Sequence, residues 1–389
     1  MGFRSSAFLA GFLGYNLGMI FSNVHDRNIP ELTQMRTMAS VPYGCRYRFI
    51  DFALSNMVNS GIQKVGVITQ SNYQSLMDHI GNGKDWDLAS RSGGIKILPP
   101  HITAFASTSR LSFATRLSGL INSLHFVERC KEDYVVMSDC DVICNIDFRK
   151  LIDAHEETGA DITIAVKNVV LNSESCKKNV IINSDDEGRA KDIFVYPTEK
   201  TGAHDISLNI MVMKREFLHS IIHDSKAHDY TSFNSDIIAR NINSYKIMTY
   251  KYDGYFACVS SFAEYYSSSM ELLKPDVRNA LFNIKDRPVL TKVRNSSPTR
   301  YGNNSSVKNS LIADGCVIEG TVENSIIFRG VKVSRGTCVK NSIIMQDCEI
   351  GENVVINCSV LDKNVVVRDC RVLSGHETKP YFAEKGIMI

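Results

Sequence analysis

From Asn309 onward the sequence repeats in steps that few folds accommodate. The tetrapeptides "NSLI" at 309, "NSII" at 324, "NSII" at 341 and "NCSV" at 357 return at intervals of 15, 17 and 16 residues. Within each unit aliphatic residues stand six apart: Ile312 and Ile318; Ile327, Val333 and Val339; Ile344, Ile350 and Ile356. One inward apolar side chain per six residues is what one flat face of a triangular coil needs, and three faces complete a turn. The period predicts a left-handed parallel β-helix of hexapeptide repeats, within a domain spanning 291–389. A β-sandwich would instead show period-two alternation and hairpin turns. Hexapeptide coils often belong to acyltransferases that draw a general base from a coil histidine, but here no histidine occurs before His376, beyond the last apparent coil. The expected role is a rigid stacking surface for self- or partner-assembly.

The front of the chain has another texture. Short apolar runs alternate with helical patterns: "VGVITQ" (65–70) then "NYQSLMDHI" (72–80), "DYVVMSDCDVI" (133–143) then "DFRKLIDAHEETG" (147–159), with "DITIAV" (161–166) after it. Strands buried on both faces read as such runs, and interleaved helices make parallel crossovers. The pattern predicts a doubly wound, Rossmann-like α/β domain over 17–262, joined by a helical connector at 263–290 to the β-helix. A chain of 389 residues is also longer than one core usually serves.

Charge and cysteine usage exclude several partners. Lys and Arg number 44 against 42 Asp and Glu, with no dense basic run, so a nucleic-acid backbone is not expected. The 11 cysteines are scattered, without a C-x-x-C pair or a His-Cys cluster at zinc spacing, which fits free thiols in the cytoplasm. Residues 1–16 form an N-terminal extension; with "MGFRSSAFLAGFLGYNLGMIF" they have a signal-like early Arg4, but glycines and Asn16 interrupt the apolar run and Leu17–Phe21 are wanted for the first strand. No run approaches the ~20 apolar residues of a membrane span.

Four stretches carry a resemblance: "SVPYGCRYRFIDFALSNMVNSGI" (40–62), "VGVITQ" (65–70), "HIGNGKDWDL" (79–88) and "GGIKILPP" (93–100), followed by the hexapeptide coils. Together they resemble bacterial ADP-glucose pyrophosphorylase, the glucose-1-phosphate adenylyltransferase family. The resemblance implies a nucleotidyltransferase-like domain in which ATP and glucose-1-phosphate yield ADP-glucose and pyrophosphate with help from Mg2+. That chemistry needs converging backbone N–H groups for phosphates, carboxylates for the metal and a cation for the sugar phosphate.

Most of those groups are missing at the matching positions. The family's G-G-x-G-x-R-L loop is replaced by Ser22, Asn23, Val24 and His25, with Arg27 a stray match to the loop arginine, and Met38 stands where its K-P-A-V-P lysine belongs. Asp26 and Glu31 are expected to repel ATP. The small residues of the family's G-T-A-D-A segment correspond to "TRLSG" (115–119), which brings in bulky Arg116 and Leu117. Its V-E-K-P lysine corresponds to Tyr196 in "FVYP", and its W-R-D-V-G-T to "FACVSS" (256–261). Three remnants match: Asp141 and Asp236 as the metal-binding aspartates and Ser207 as a sugar-site serine. Each also reads as an ordinary loop or helix cap.

A changed nucleotide preference would still require a phosphate cradle. The losses therefore resemble the GlgD-type subunit, which the family implies is non-catalytic and assembles with a catalytic GlgC-type homologue, as a mixed tetramer. Weak sugar-phosphate or nucleotide binding is compatible with that reading, and no cofactor is required unless a Mg2+ site survives. The rival is an active sugar-1-phosphate nucleotidyltransferase with an atypical phosphate loop.

Overall fold

The computed structural model describes residues 16–90, 93–100 and 115–389. Residues 1–15, which make up most of the signal-like stretch and nearly all of the N-terminal extension, lie outside them. At the centre of the α/β domain is strand Asn16–Phe21, parallel to Lys64–Ile68 on one side and to Tyr134–Asp139 on the other. Gly94–Leu98 continues the parallel part beyond Lys64–Ile68. On the far side of Tyr134–Asp139 the sheet turns mixed: Gly202–Lys214 runs antiparallel to it and to Ile162–Leu171, which in turn pairs in parallel with Ile247–Lys251. The expected doubly wound sheet is therefore parallel in its first half and mixed in its second.

Alternate side chains leave a strand on opposite faces. Leu17, Met19, Val135 and Met137 pack into one apolar layer, and Ile20, Val67, Val136 and Val212 into the other. The register pairs Phe21 with Asp139, so the carboxyl ends of the two central strands lie side by side. Crevices at such ends are where open α/β sheets bind ligands.

The β-helix has three parallel sheets of five strands each. Its inward residues stack as the period of six requires: Ile318, Val333, Ile350 and Val367 on one face; Val322, Val339, Ile356 and Leu373 on the next; Ile327, Ile344 and Leu361 on the third. They form one buried apolar column. On the third face the neighbouring residues Ile326, Ile343 and Val360 are also buried, because they join Ile29, Leu32, Phe49 and Phe52 of the α/β domain in a shared core. Tyr265 and Tyr266 of helix Phe262–Glu271 and Leu281 of helix Pro275–Phe282 complete that layer. A buried ion pair spans the junction, with Arg36 Nη2 2.9 and 2.6 Å from the two carboxylate oxygens of Asp362.

Candidate functional site

A cleft of about 530 Å³ opens at the carboxyl end of the central strands. Its walls include His25, Arg116, Asp141, Lys177, Tyr196, Ser207, Asn209, Asn234 and Cys258. Volumes of about 300–1,000 Å³ suit small-molecule ligands. The register of strand Gly202–Lys214 shifts between Ser207 and Met211, and Asn209 adopts a positive φ of 55°. This bulge turns both Ser207 and Asn209 toward the cleft.

The turn after strand Asn16–Phe21 is closed on itself. Asn23 Oδ1 accepts hydrogen bonds from Ser22 Oγ, Thr69 Oγ1 and the Gln70 N–H at 2.8, 3.0 and 2.8 Å. Its Nδ2 donates to Asp26 and to the Ser71 carbonyl. The side chain of Asn23 thus bridges the ends of two adjacent strands where a phosphate loop would leave room. Asp26, expected to repel ATP, points inward and accepts the Met38 N–H at 2.7 Å. Burial pushes its pKa up to about 6, despite those hydrogen bonds. Met38 itself is 1% exposed and packs in the shared core, so the family's lysine position is shut off from the cleft.

Beyond that turn lies a charged cluster. Asp139 is wholly buried at the end of its strand. Arg116 Nε donates to Asp139 Oδ1 at 3.0 Å, and Arg116 Nη2 and His25 Nε2 both reach Oδ2, the latter at 2.7 Å. His25 Nε2 is also 3.5 Å from Asp141 Oδ2, which the Cys258 thiol approaches to 3.7 Å. Burial alone would raise the Asp139 carboxyl, but Arg116 and His25 outweigh it and hold the pKa down at about 2. Burial opposes charge on His25, yet Asp141 and Asp139 together hold its pKa above the ordinary histidine value. Asp141 is pushed up by burial and by Asp139, against the pull of His25.

This donor set does not fit a magnesium ion. The nearest atoms of His25, Asp139 and Asp141 lie within 4.8 Å of one another, a span a metal could bridge. Mg2+, however, wants open oxygens at about 2.0–2.1 Å in octahedral array. Both oxygens of Asp139 are taken by cationic side chains, leaving Asp141 Oδ1 as the buried carboxylate oxygen without a partner. A guanidinium and an imidazole stand where a divalent cation would neutralise the pair.

Comparison with known proteins agrees with the architecture. Residues 29–274 match the family model described as Nucleotidyl transferase, and residues 295–379 match the GlmU-like, C-terminal hexapeptide model. The chain is 33% identical to the glycogen biosynthesis protein GlgD of Bacillus subtilis (strain 168), over 96% of each chain. With the GlgD protein of Geobacillus stearothermophilus it shares 36% identity, over 83% of this chain and 82% of that one. The chain belongs to the GlgD-type, glucose-1-phosphate adenylyltransferase-like family. A glucose-1-phosphate adenylyltransferase of Fervidobacterium nodosum is 31% identical to this GlgD-type chain, over 95% of it and 88% of the relative.

In this GlgD-type protein the sequence remnants separate in space. Asp141 and Ser207 both line the cleft, but Asp236 is not among the lining residues. Its Oδ2 accepts the N–H groups of Thr231 and Ser232 at 2.9 and 2.8 Å, and these hydrogen bonds hold its pKa below the usual carboxylate range. It serves as a local cap, while Cys258 and His25 are the side chains that face Asp141. Of the substituted positions, Ser22 and Asn23 fill the turn, Met38 and Leu117 go to the core, and Arg116 and Tyr196 enter the cleft. Arg27 is exposed and away from the cleft lining. Tyr196 holds a positive φ of 53°, an uncommon conformation for a bulky side chain, and Lys177 and Lys178 line the cleft beside it. Lys178 is paired with Glu264 at 3.1 Å. Sequence reasoning missed Asp139 and Lys177, and named His25 only as a loop replacement without its carboxylate partners; the signal for Asp139 was its place just past an apolar run, two before Asp141.

Proposed function

We propose that this protein is a non-catalytic subunit that assembles with a catalytic glucose-1-phosphate adenylyltransferase and raises its activity, in the route that makes ADP-glucose for glycogen. The observation that carries this reading is the occupation of Asp139 by Arg116 and His25. A reaction centred on charged phosphates needs its compensating cation at the substrate, and here Arg116 and His25 are spent on the protein's own Asp139. The closed Asn23 turn supports the same conclusion, since it offers no backbone cradle for a triphosphate. A mixed tetramer in the cytoplasm is the expected setting.

The test is to purify the full-length chain alone and mixed with a catalytic homologue, and to follow ADP-glucose formation from ATP, Mg2+ and glucose-1-phosphate. The isolated chain should be silent, and the mixture should co-purify and turn over faster than the homologue alone. Turnover by this chain alone within the ordinary enzymatic range of about 1–1,000 per second would favour the rival, an active nucleotidyltransferase with an atypical loop. One feature favours residual ligand binding in either case: the cleft keeps Ser207, Asn209 and Lys177 on its walls. Calorimetry with glucose-1-phosphate and with ATP should then give weak binding of the sugar phosphate and less of the nucleotide.

A further inference from the structure

Outside the cleft, helix Arg215–Ala227 carries His219 and His223 four residues apart, a spacing that sets both imidazoles on one helix face. The short helix Leu124–Glu128 packs against the same helix and supplies Glu128. His219 Nε2 and His223 Nε2 are 3.2 Å apart, and Glu128 Oε1 is 3.7 Å from His219 Nε2. The three ligand atoms all lie within 4.8 Å of one another. Tetrahedral zinc with metal–nitrogen bonds of ~2.0–2.1 Å separates its ligand nitrogens by ~3.3 Å, close to the observed spacing. The other Glu128 oxygen is 3.6 Å from His125 Nδ1, an outer contact that helps orient the carboxylate toward the imidazole pair.

We propose that Glu128, His219 and His223 form a binding site for a divalent transition-metal ion of the zinc class, with water completing the coordination. Two imidazoles and one carboxylate suit zinc, nickel or copper, whereas magnesium and calcium take oxygen ligands throughout. The site is reachable from solvent, His219 being 38% exposed and Glu128 41%. An ion held there ties the short helix to the longer one. Because the three ligands converge only in the folded chain, binding also stabilises the fold in proportion to free metal. This inference is independent of the reading of the cleft.

The experiment is calorimetric titration of the tag-free, full-length chain with zinc chloride in chelator-free buffer. One equivalent should bind with micromolar affinity. His223→Ala and Glu128→Gln should each weaken it by at least about tenfold. The double variant H219A/H223A should fold as the parent does, since alanine suits an exposed helical position, and should lose the site. Cobalt in place of zinc should give a spectrum without thiolate-to-metal charge transfer. Absence of uptake at millimolar zinc would overturn the assignment. So would uptake undiminished in the double variant, which puts the ion elsewhere, or thiolate bands with cobalt, which put it on the cysteines.

Discussion

Arg116 is 6% exposed and lies against the Phe21 ring as well as on Asp139, so its charge is committed to the interior. Removing one partner of a buried pair typically costs about 3–5 kcal/mol, because the other charge is left uncompensated. Arg116→Ala should therefore destabilise the chain by about 3 kcal/mol in urea unfolding, with His25 left to hold part of Asp139. It should also create a dependence on Mg2+ that the parent lacks: millimolar Mg2+ should raise the variant's unfolding midpoint and leave the parent's unchanged. An equal effect of Mg2+ on both would mean that the guanidinium does not stand in for a metal. A second residue tests acid sensitivity. His155 is 1% exposed, its Nδ1 bonded to Thr163 Oγ1 at 2.8 Å and its Nε2 without a partner. Burial, aided by Lys214, pushes its pKa down to about 4 from the ordinary 6.5. The unfolded chain therefore binds the proton first as the medium acidifies. The stability His155 contributes is whole above pH ~6.5 and is lost as pH falls toward ~4, by a few kcal/mol at most. In His155→Gln the loss of stability between about pH 7 and about pH 4.5 should be smaller than in the parent; an identical loss would exclude His155 as its source.

At the scale of the repeat, the recurring Asn-Ser explains itself in hydrogen bonds. Asn309, Asn324 and Asn341 turn the corners with φ of 41°, 46° and 45°, a conformation asparagine tolerates better than most residues. The serine after each corner joins a ladder: the N–H groups of Ser325, Ser342 and Ser359 donate to the hydroxyls of Ser310, Ser325 and Ser342, each at 3.1 Å. In "NCSV" the corner passes to Cys358, with φ 43°, and Ser359 keeps its rung. Ser342→Ala should strand the buried Ser359 N–H and cost about 1–3 kcal/mol, read as a lowered thermal midpoint; an unchanged midpoint would show that the ladder is decorative. The β-helix was legible because its period is enforced by inward packing, with no competing signal. Its docking face was legible too, in hindsight, since the third face carries paired aliphatics in four successive coils, "LI", "II", "II" and "VL", where the other faces have them only in some coils. The antiparallel pairing of strand Gly202–Lys214 was not, because a buried strand reads the same in either direction. For a similar reason Asp236 was legible only as two alternatives: an aspartate after a turn has one sequence appearance whether it caps backbone N–H groups or faces a ligand. The Arg116–Asp139 pair lies across 23 positions, and no local pattern ties the two residues together.

Taken as a whole, the molecule is less divisible than its two textures suggest. Cutting the chain near residue 290 leaves every residue of the α/β domain in place, yet it would uncover Ile29, Leu32, Phe49 and Phe52, which now pack on Ile326, Ile343 and Val360. A truncated chain that failed to bind a partner would then say nothing about the coils as an assembly surface. Point changes at the junction separate the two questions. Arg36 and Asp362 are 3% and 4% exposed and lie 326 positions apart, so their ion pair exists only when the domains are docked. Arg36 Nη1 is already buried without a partner, which leaves little else to compensate the guanidinium if the carboxylate goes. Asp362→Ala should cost about 3–5 kcal/mol, and the loss should fall on docking because both domains keep their own apolar cores. The expected signature is a parent that unfolds in one transition and a variant that unfolds in two, with the segment at 283–299, between helix Pro275–Phe282 and the first coil, newly open to limited proteolysis. A variant that still melted in a single step, only at lower temperature, would show that the shared apolar layer alone couples the domains. In that case the ion pair fixes their register without holding them together.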